Sequence, residues 1–361
     1  MAQSAPASSA ALPDSSAWKD PEKLRQQIAK KIEKVLPGLD PKEVNAFIKS
    51  PENMRLLLLY RLADAEVANK AGYARHNEGL TQGISRKQEE IKRLENEVKA
   101  KNGPEKKRAQ YLLANARADL KAQQKEAAYP AGLGKCAQVL NAILADNTWM
   151  EQIAFSGEMQ NFTRVVQIIA AIAADDAQAL RKGVERDTTT ATALEYALHG
   201  SRLTDAVARA QHFLKYWRQG RLNTSFDKLP MHHRRIACGW KHHHNSGTPK
   251  AFEWAIDNVH LPDWQYPASC WRCGYVSDNV YGDSVQGPWY YAPWVGVSTD
   301  NHMWLAKNVG AVCGGLSHFG AASACANGVP ALTAGEPAHC SYIVLVDGKW
   351  TPAYSLSWER G

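Results

Sequence analysis

The sequence predicts an α+β protein: a mostly helical N-terminal part carrying a long helical hairpin, then a C-terminal part of helix and short strands. Three observations predict it. Helix punctuation recurs from residue 18 to 220 with no strand-like alternation. Composition shifts near residue 220, and ten of the 12 tryptophans lie from Trp217 onward. Near the C-terminus, a glycine-flanked cysteine opens a helix and a histidine opens the strand that follows.

Taking the elements in order, residues 1–17 are rich in Ala, Ser and Pro and read as a flexible segment. That segment suits the start of an exported protein whose signal peptide is replaced by Met1, or a plain disordered terminus. Residues 18–220 form the helical domain. Asp40-Pro41-Lys42-Glu43 and Ser50-Pro51-Glu52-Asn53 place a capping side chain before a proline at the first helical position. Met54 to Ala71 is dense in Leu and Ala. Ile84, Ile91, Leu94 and Val98 then fall at heptad-like spacing among Lys, Arg and Glu. Asn102-Gly103-Pro104 interrupts, and Tyr111, Leu112, Ala116 and Leu120 carry a second amphipathic run. The two runs predict an antiparallel hairpin over 84–126, standing off the body as a spacer, a partner-docking arm or an ordinary surface hairpin. Helical patterning resumes from Leu133 to about Gln219, including the apolar run Val165 to Ala174.

Residues 221–361 form the second domain. Pro249 to Asn258 reads as helix; beyond it Gly, Pro and aromatic residues predict loops and short strands lining a groove. Gly310-Ala311-Val312-Cys313-Gly314-Gly315-Leu316-Ser317 opens a helix to Ala326, and Asn327-Gly328 ends it. Val329-Pro330-Ala331 begins an extended segment. His339 to Val346 reads as a strand, Asp347-Gly348 as a hairpin turn and Lys349-Trp350-Thr351 as the returning strand. Cys313 thus sits where free N–H groups and the helix dipole favour negative charge on sulfur. Gly314 and its neighbours would let a substrate backbone approach closely. A helix led by cysteine beside a strand led by histidine can supply a nucleophile and its base.

Several function classes are excluded or left open. No apolar run approaches the roughly 20 residues a membrane helix needs, so no membrane insertion is expected. The net charge of +7 comes mostly from Lys and Arg interleaved with Glu on helical faces, which does not suit nucleic acid. With Cys313 as a free nucleophile, six cysteines remain, enough for three disulfides in a secreted or periplasmic protein, or buried thiols in a cytosolic one. Cys325 and Cys340 lie on the helix and strand of the site, where a bridge would join the two. Cys270-Trp271-Arg272-Cys273 lacks a second ligand pair for zinc, so a disulfide role, within the pair or to Cys238, is preferred; no metal or cofactor is expected. Trp264, Trp271, Trp289, Trp294 and Trp304 form either a stacking platform for sugars and aromatics or an aromatic core.

Cys313-Gly314-Gly315, the helix end Asn327-Gly328-Val329-Pro330-Ala331, His339 and Asp347-Gly348-Lys349-Trp350 resemble the core of the transglutaminase-like superfamily, over residues 300–358. Tyr281-Gly282-Asp283-Ser284-Val285-Gln286-Gly287-Pro288-Trp289-Tyr290-Tyr291 is similar to a segment of bacterial, notably planctomycete-type, members. The resemblance implies a papain-like core, Cys313 as nucleophile and His339 as general base and then acid. It implies a third member, Asp or Asn, about four residues after the tryptophan. Tyr354 occupies that place, so the third member is Tyr354 or unknown. Asp347, the nearest carboxylate, lies about 26 Å away along the strand and would not orient the ring. The Cys313 N–H is the default oxyanion donor, with Gln286 or Trp289 as side-chain alternatives and Trp304 also expected in the cleft.

These readings lead to a thiol hydrolase or acyltransferase that cleaves an amide or acyl bond of a protein, peptide or glycan-bearing substrate through a Cys313 thioester. Two alternatives stay open. One is a catalytically degenerate binding or scaffold module. The other is a polysaccharide-active enzyme using the Trp-rich cleft with His339 and a tyrosine as acid and base. The last strand ends shortly before Gly361, which leaves room for a longer natural chain.

Overall fold

Capping side chains set the beginnings of the helices. Asp20 accepts a hydrogen bond from the Lys23 N–H (3.1 Å), Asp40 from Lys42 (2.7 Å), Asp146 from Trp149 (3.1 Å), Asn161 from Arg164 (2.8 Å) and Thr248 from Ala251 (3.2 Å). Each such cap contributes about 1 kcal/mol by satisfying an N–H that the helix leaves unpaired. The computed structural model describes residues 17–36, 38, 40–68, 70–128, 136–198, 202–239, 247–274, 301–308, 310–354 and 356. In chain order the helices are α1 (Pro21–Val35), α2 (Pro41–Lys49), α3 (Pro51–Ala68), α4 (Lys70–Ala100), α5 (Gly103–Ala128), α6 (Ala137–Ala145) and α7 (Asn147–Phe155). They continue as α8 (Phe162–Asp175), α9 (Val184–Leu198), α10 (Leu203–Arg218), α11 (Met231–Gly239), α12 (Pro249–Asn258), α13 (His302–Asn308) and α14 (Cys313–Ala326). The described strands, β1 (Ala331–Glu336), β2 (His339–Val346) and β3 (Lys349–Pro352), make one antiparallel sheet in the order β1-β2-β3. The chain is therefore α+β, with its described sheet confined to the C-terminal end.

α4 and α5 form the expected hairpin, but longer than the 84–126 read from the heptad spacing. Gly79 and Gly83 blur the pattern before Ile84, yet the helix runs through them. Gly103 makes the turn at φ +55°, a conformation that costs glycine little. Between the arms, Leu94, Leu113 and Ala116 are buried with Ile91, Val98 and Leu112 against them. Lys87–Asp119 (3.2 Å) and Arg117–Glu95 (2.7 Å) pair across the hairpin. Its foot is anchored by Glu126, only 4% exposed, which pairs with Arg164 and accepts from the Leu203 N–H.

Two hydrophobic cores follow along the chain. The first gathers Leu58, Leu62, Ile143, Phe162, Ile168 and Ile172; the second gathers Phe213, Phe226, Phe252, Tyr266, Phe319 and Tyr342. Helices α9 and α10 serve both, with Leu194 and Leu214 in the first and Ala191, Phe213 and Tyr216 in the second. The expected boundary at 220 falls just after these shared helices. Buried arginines rivet the same region: Arg209 stacks 3.6 Å above the Phe252 ring, and Arg235 pairs with Glu195 at 2.6 Å. No helix among the described residues is long and apolar enough to cross a membrane.

The turn between β2 and β3 follows from its two residues. Asp347 and Gly348 both have positive φ (49° and 74°), the type I′ geometry that Asp-Gly favours and that matches the strand twist. The register pairs Ile343 with Pro352 and Val346 with Lys349.

Candidate active site

α14 is the spine of the site. Gly310, at φ +97°, turns the chain out of α13, and Val312 precedes the helix in extended geometry without a side-chain cap. Cys313 therefore stands at an uncapped helix N-terminus, half-buried. A side chain at Gly314 would meet open space, whereas one at Gly315 would overlap Ala311. Of the two glycines, Gly314 is the one that leaves the approach to Cys313 open. Ser317 returns its hydroxyl to the Gly314 carbonyl (2.8 Å), fixing the first turn.

Tyr342 clamps α14 to the sheet. Its ring lies where a Cβ on Gly320 would be, so only glycine lets helix and strand approach this closely. Its hydroxyl donates to the carbonyls of Tyr266 or Pro267 (2.9 Å each) and accepts from the Cys270 N–H (3.3 Å). Burial pushes its pKa well up, so it stays a neutral donor.

Side chains alternate along β2, so Cys340 leaves the strand on the same face as Tyr342 and Val344, toward α14. Burial, together with the neighbouring Cys313, raises the pKa of the Cys340 thiol. His339, Ser341 and Ile343 leave on the opposite face. The neighbour of Cys313 on this strand is thus Cys340, and the expected imidazole lies one position along it.

The His339 Nε2 hydrogen-bonds the backbone carbonyl of Leu356. A carbonyl can only accept, so Nε2 is the donating nitrogen and carries a proton. β3 ends at Pro352 and Ala353 still donates to the Tyr342 carbonyl (2.8 Å); the chain then turns and brings the Leu356 carbonyl to His339. Tyr354 is engaged with other groups. It is 37% exposed, its hydroxyl donates to the Trp264 carbonyl (3.4 Å) and its N–H to the Pro267 carbonyl (3.0 Å). No side-chain signal announces a backbone carbonyl, which is why the sequence leaves the third member as Tyr354 or unknown.

The remaining site residues divide. Trp304, on α13, is half-buried against the second core rather than standing free. Trp264 and Trp271 are exposed on the 3₁₀ helix Asp263–Arg272, and Trp350 is exposed on β3. Gln286, Trp289 and Trp294, like the Tyr281–Tyr291 segment and His242 to His244, lie outside the described residues.

All seven cysteines are free thiols, so the three expected disulfides are not formed in this structure. Cys136, Cys238, Cys270, Cys273 and Cys325 are each buried. Burial pushes Cys238 and Cys325 up to about 12 and Cys270 up to about 11, and raises Cys136 and Cys273 as well. Thiols held that high are protonated and poor nucleophiles at neutral pH. Among the described residues no group of three His, Cys, Asp or Glu is arranged to hold a metal ion.

Comparison with known proteins found no matching family model, no matching curated protein and no matching solved structure.

Proposed function

We propose that the chain is a cysteine hydrolase or acyltransferase of the transglutaminase-like kind, with a papain-like core built on α14 and the β1-β2-β3 sheet. The observation that carries this reading is the hydrogen bond from His339 to the Leu356 carbonyl, on a strand packed against the Cys313 helix. Adjacent Cα atoms are about 3.8 Å apart, so His339 is one residue's step from Cys340, the neighbour of Cys313.

In this reading the Cys313 sulfur attacks an amide or acyl carbonyl while Nδ1 of His339 holds the thiol proton. The Cys313 N–H at the helix N-terminus stabilises the oxyanion. Collapse breaks the bond to the leaving group, which takes the proton from His339, and a thioester remains. Water then completes hydrolysis, or an amine completes transfer. The Leu356 carbonyl fills the third member's orienting role. It is a neutral dipole, so it stabilises imidazolium less than a carboxylate would, and turnover is correspondingly slow.

One observation favours a second reading, a binding module without acyl chemistry: strand alternation turns Cys340 rather than His339 toward α14. A single screen separates the two. Wild type and Cys313→Ala are assayed against peptide, glycopeptide and glycan pools. Acyl-bond turnover in wild type and none in Cys313→Ala is the expected result. Full activity in Cys313→Ala would overturn the thioester mechanism, and glycan cleavage lost with Tyr354→Phe would move the chemistry to the aromatic surface. No turnover by either protein would leave the binding module.

A further inference from the structure

Of the seven thiols, five are buried and the two within reach of solvent, Cys313 and Cys340, are neighbours on the packed faces of α14 and β2. They come from elements 27 positions apart in sequence and are brought together by the seam between α14 and β2. That seam is closely packed: the Tyr342 ring fills the space left by Gly320, and its hydroxyl donates to the Tyr266 or Pro267 carbonyl and accepts from the Cys270 N–H. Cys325, the other cysteine of α14, is twelve residues on, about 18 Å along the helix axis. Its thiol is fully buried and donates to the Ala331 carbonyl (3.4 Å). The bridge expected between this helix and this strand therefore falls on Cys313, not Cys325.

We propose that Cys313 and Cys340 form a peroxide-responsive dithiol that closes to an intramolecular disulfide. The Cys313 thiolate attacks one peroxide oxygen; the O–O bond breaks and hydroxide leaves, giving Cys313 sulfenic acid. The Cys340 sulfur attacks the sulfenyl sulfur; the S–O bond breaks and the hydroxyl departs as water with the Cys340 proton. Two electrons pass from the thiol pair to the peroxide. A thiol reductant reverses the change by exchange at either sulfur. The bond itself needs only the pair; its consequence, a nucleophile switched off by oxidation, rests on the function proposed above.

The test is read by mass, not by activity, so its failure is distinct from failure of the enzymatic reading. The folded chain is treated with hydrogen peroxide, its remaining thiols are alkylated, and it is digested with chymotrypsin. Cleavage after Phe319, Leu332 and Tyr342 puts Cys313, Cys325 and Cys340 on separate peptides. The expected result is a loss of two hydrogen masses per chain and a cross-linked peptide pair carrying Cys313 and Cys340, released by dithiothreitol. In Cys340→Ser, Cys313 should instead accumulate as a sulfenic acid trapped by dimedone. A bridge to Cys325 or any other cysteine, or Cys313 driven to sulfinic acid while wild-type Cys340 stays alkylatable, would overturn the proposal.

Discussion

The two ends of α14 are built to opposite rules. At its C-terminal end Asn327 is fully buried, donates to the carbonyls of Val259 (3.1 Å) and Ser323 (2.9 Å), and meets Nδ1 of His260 (2.8 Å). The Ala326 carbonyl accepts from Nε2 of buried His212 (2.9 Å), and Gly328 reverses the chain at φ +86° against the Phe226 ring. At the N-terminal end there is no side-chain cap, Gly314 borders open space and Cys313 is half-buried. One helix therefore has a closed end that stabilises the fold and an open end whose unpaired groups remain available. Reactive groups that must meet a partner sit where the fold has left something unsatisfied.

This contrast predicts a graded series of effects. Asn327→Ala should be the most damaging, costing about 3 kcal/mol in urea denaturation, because it takes a buried donor from the Ser323 and Val259 carbonyls and the partner of His260 Nδ1. A cost near zero would erase the distinction between the ends. Acid should act next, through His212. Burial lowers its pKa to about 3 in the folded protein, against an ordinary value of 6.5. The unfolded chain takes up the proton first, so this group's contribution is complete above pH 6.5 and is lost as pH falls toward 3. The slope is at most about 1.4 kcal/mol per pH unit. His212→Gln, which retains a donor for Ala326, should flatten that part of the stability–pH curve; an unchanged slope would assign it elsewhere.

At the middle of the helix, Gly320→Ala should cost about 2 kcal/mol, because the added methyl and the Tyr342 ring claim the same space. Pairing it with Tyr342→Phe should give a non-additive cycle, since the two sites touch. Smallest of all, Cys313→Ala at the open end should change stability by less than about 0.5 kcal/mol in the same assay. A large loss there would make Cys313 a packing residue.

Much of this architecture was legible in the sequence because its signals are local. Asp-Pro and Ser-Pro at helix starts, Asn327-Gly328 at a helix end and Asp347-Gly348 in a hairpin each act through their own backbone. They placed α14, β2 and β3 where the structure has them. The hairpin was read short because Gly79 and Gly83 mask a continuous helix. Within the site, the local part was again readable: Cys313 leads its helix and His339 its strand. What was not readable depends on which face of β2 meets α14 and on the path of the chain after β3. Alternation brings Cys340 to the Cys313 side of the strand, and the turn after β3 brings the Leu356 carbonyl to His339. A backbone carbonyl has no residue type to betray it.

The most direct measurement compares the rates at which iodoacetamide alkylates Cys313 and Cys340 in the folded protein at neutral pH, resolved by peptide mapping, in wild type and His339→Ala. A nucleophile at the open end of α14, served by His339, should make Cys313 react faster than the more exposed Cys340, with His339→Ala slowing Cys313 alone. Cys313 reacting no faster than Cys340, and indifferent to the loss of His339, would contradict a catalytic cysteine–histidine pair.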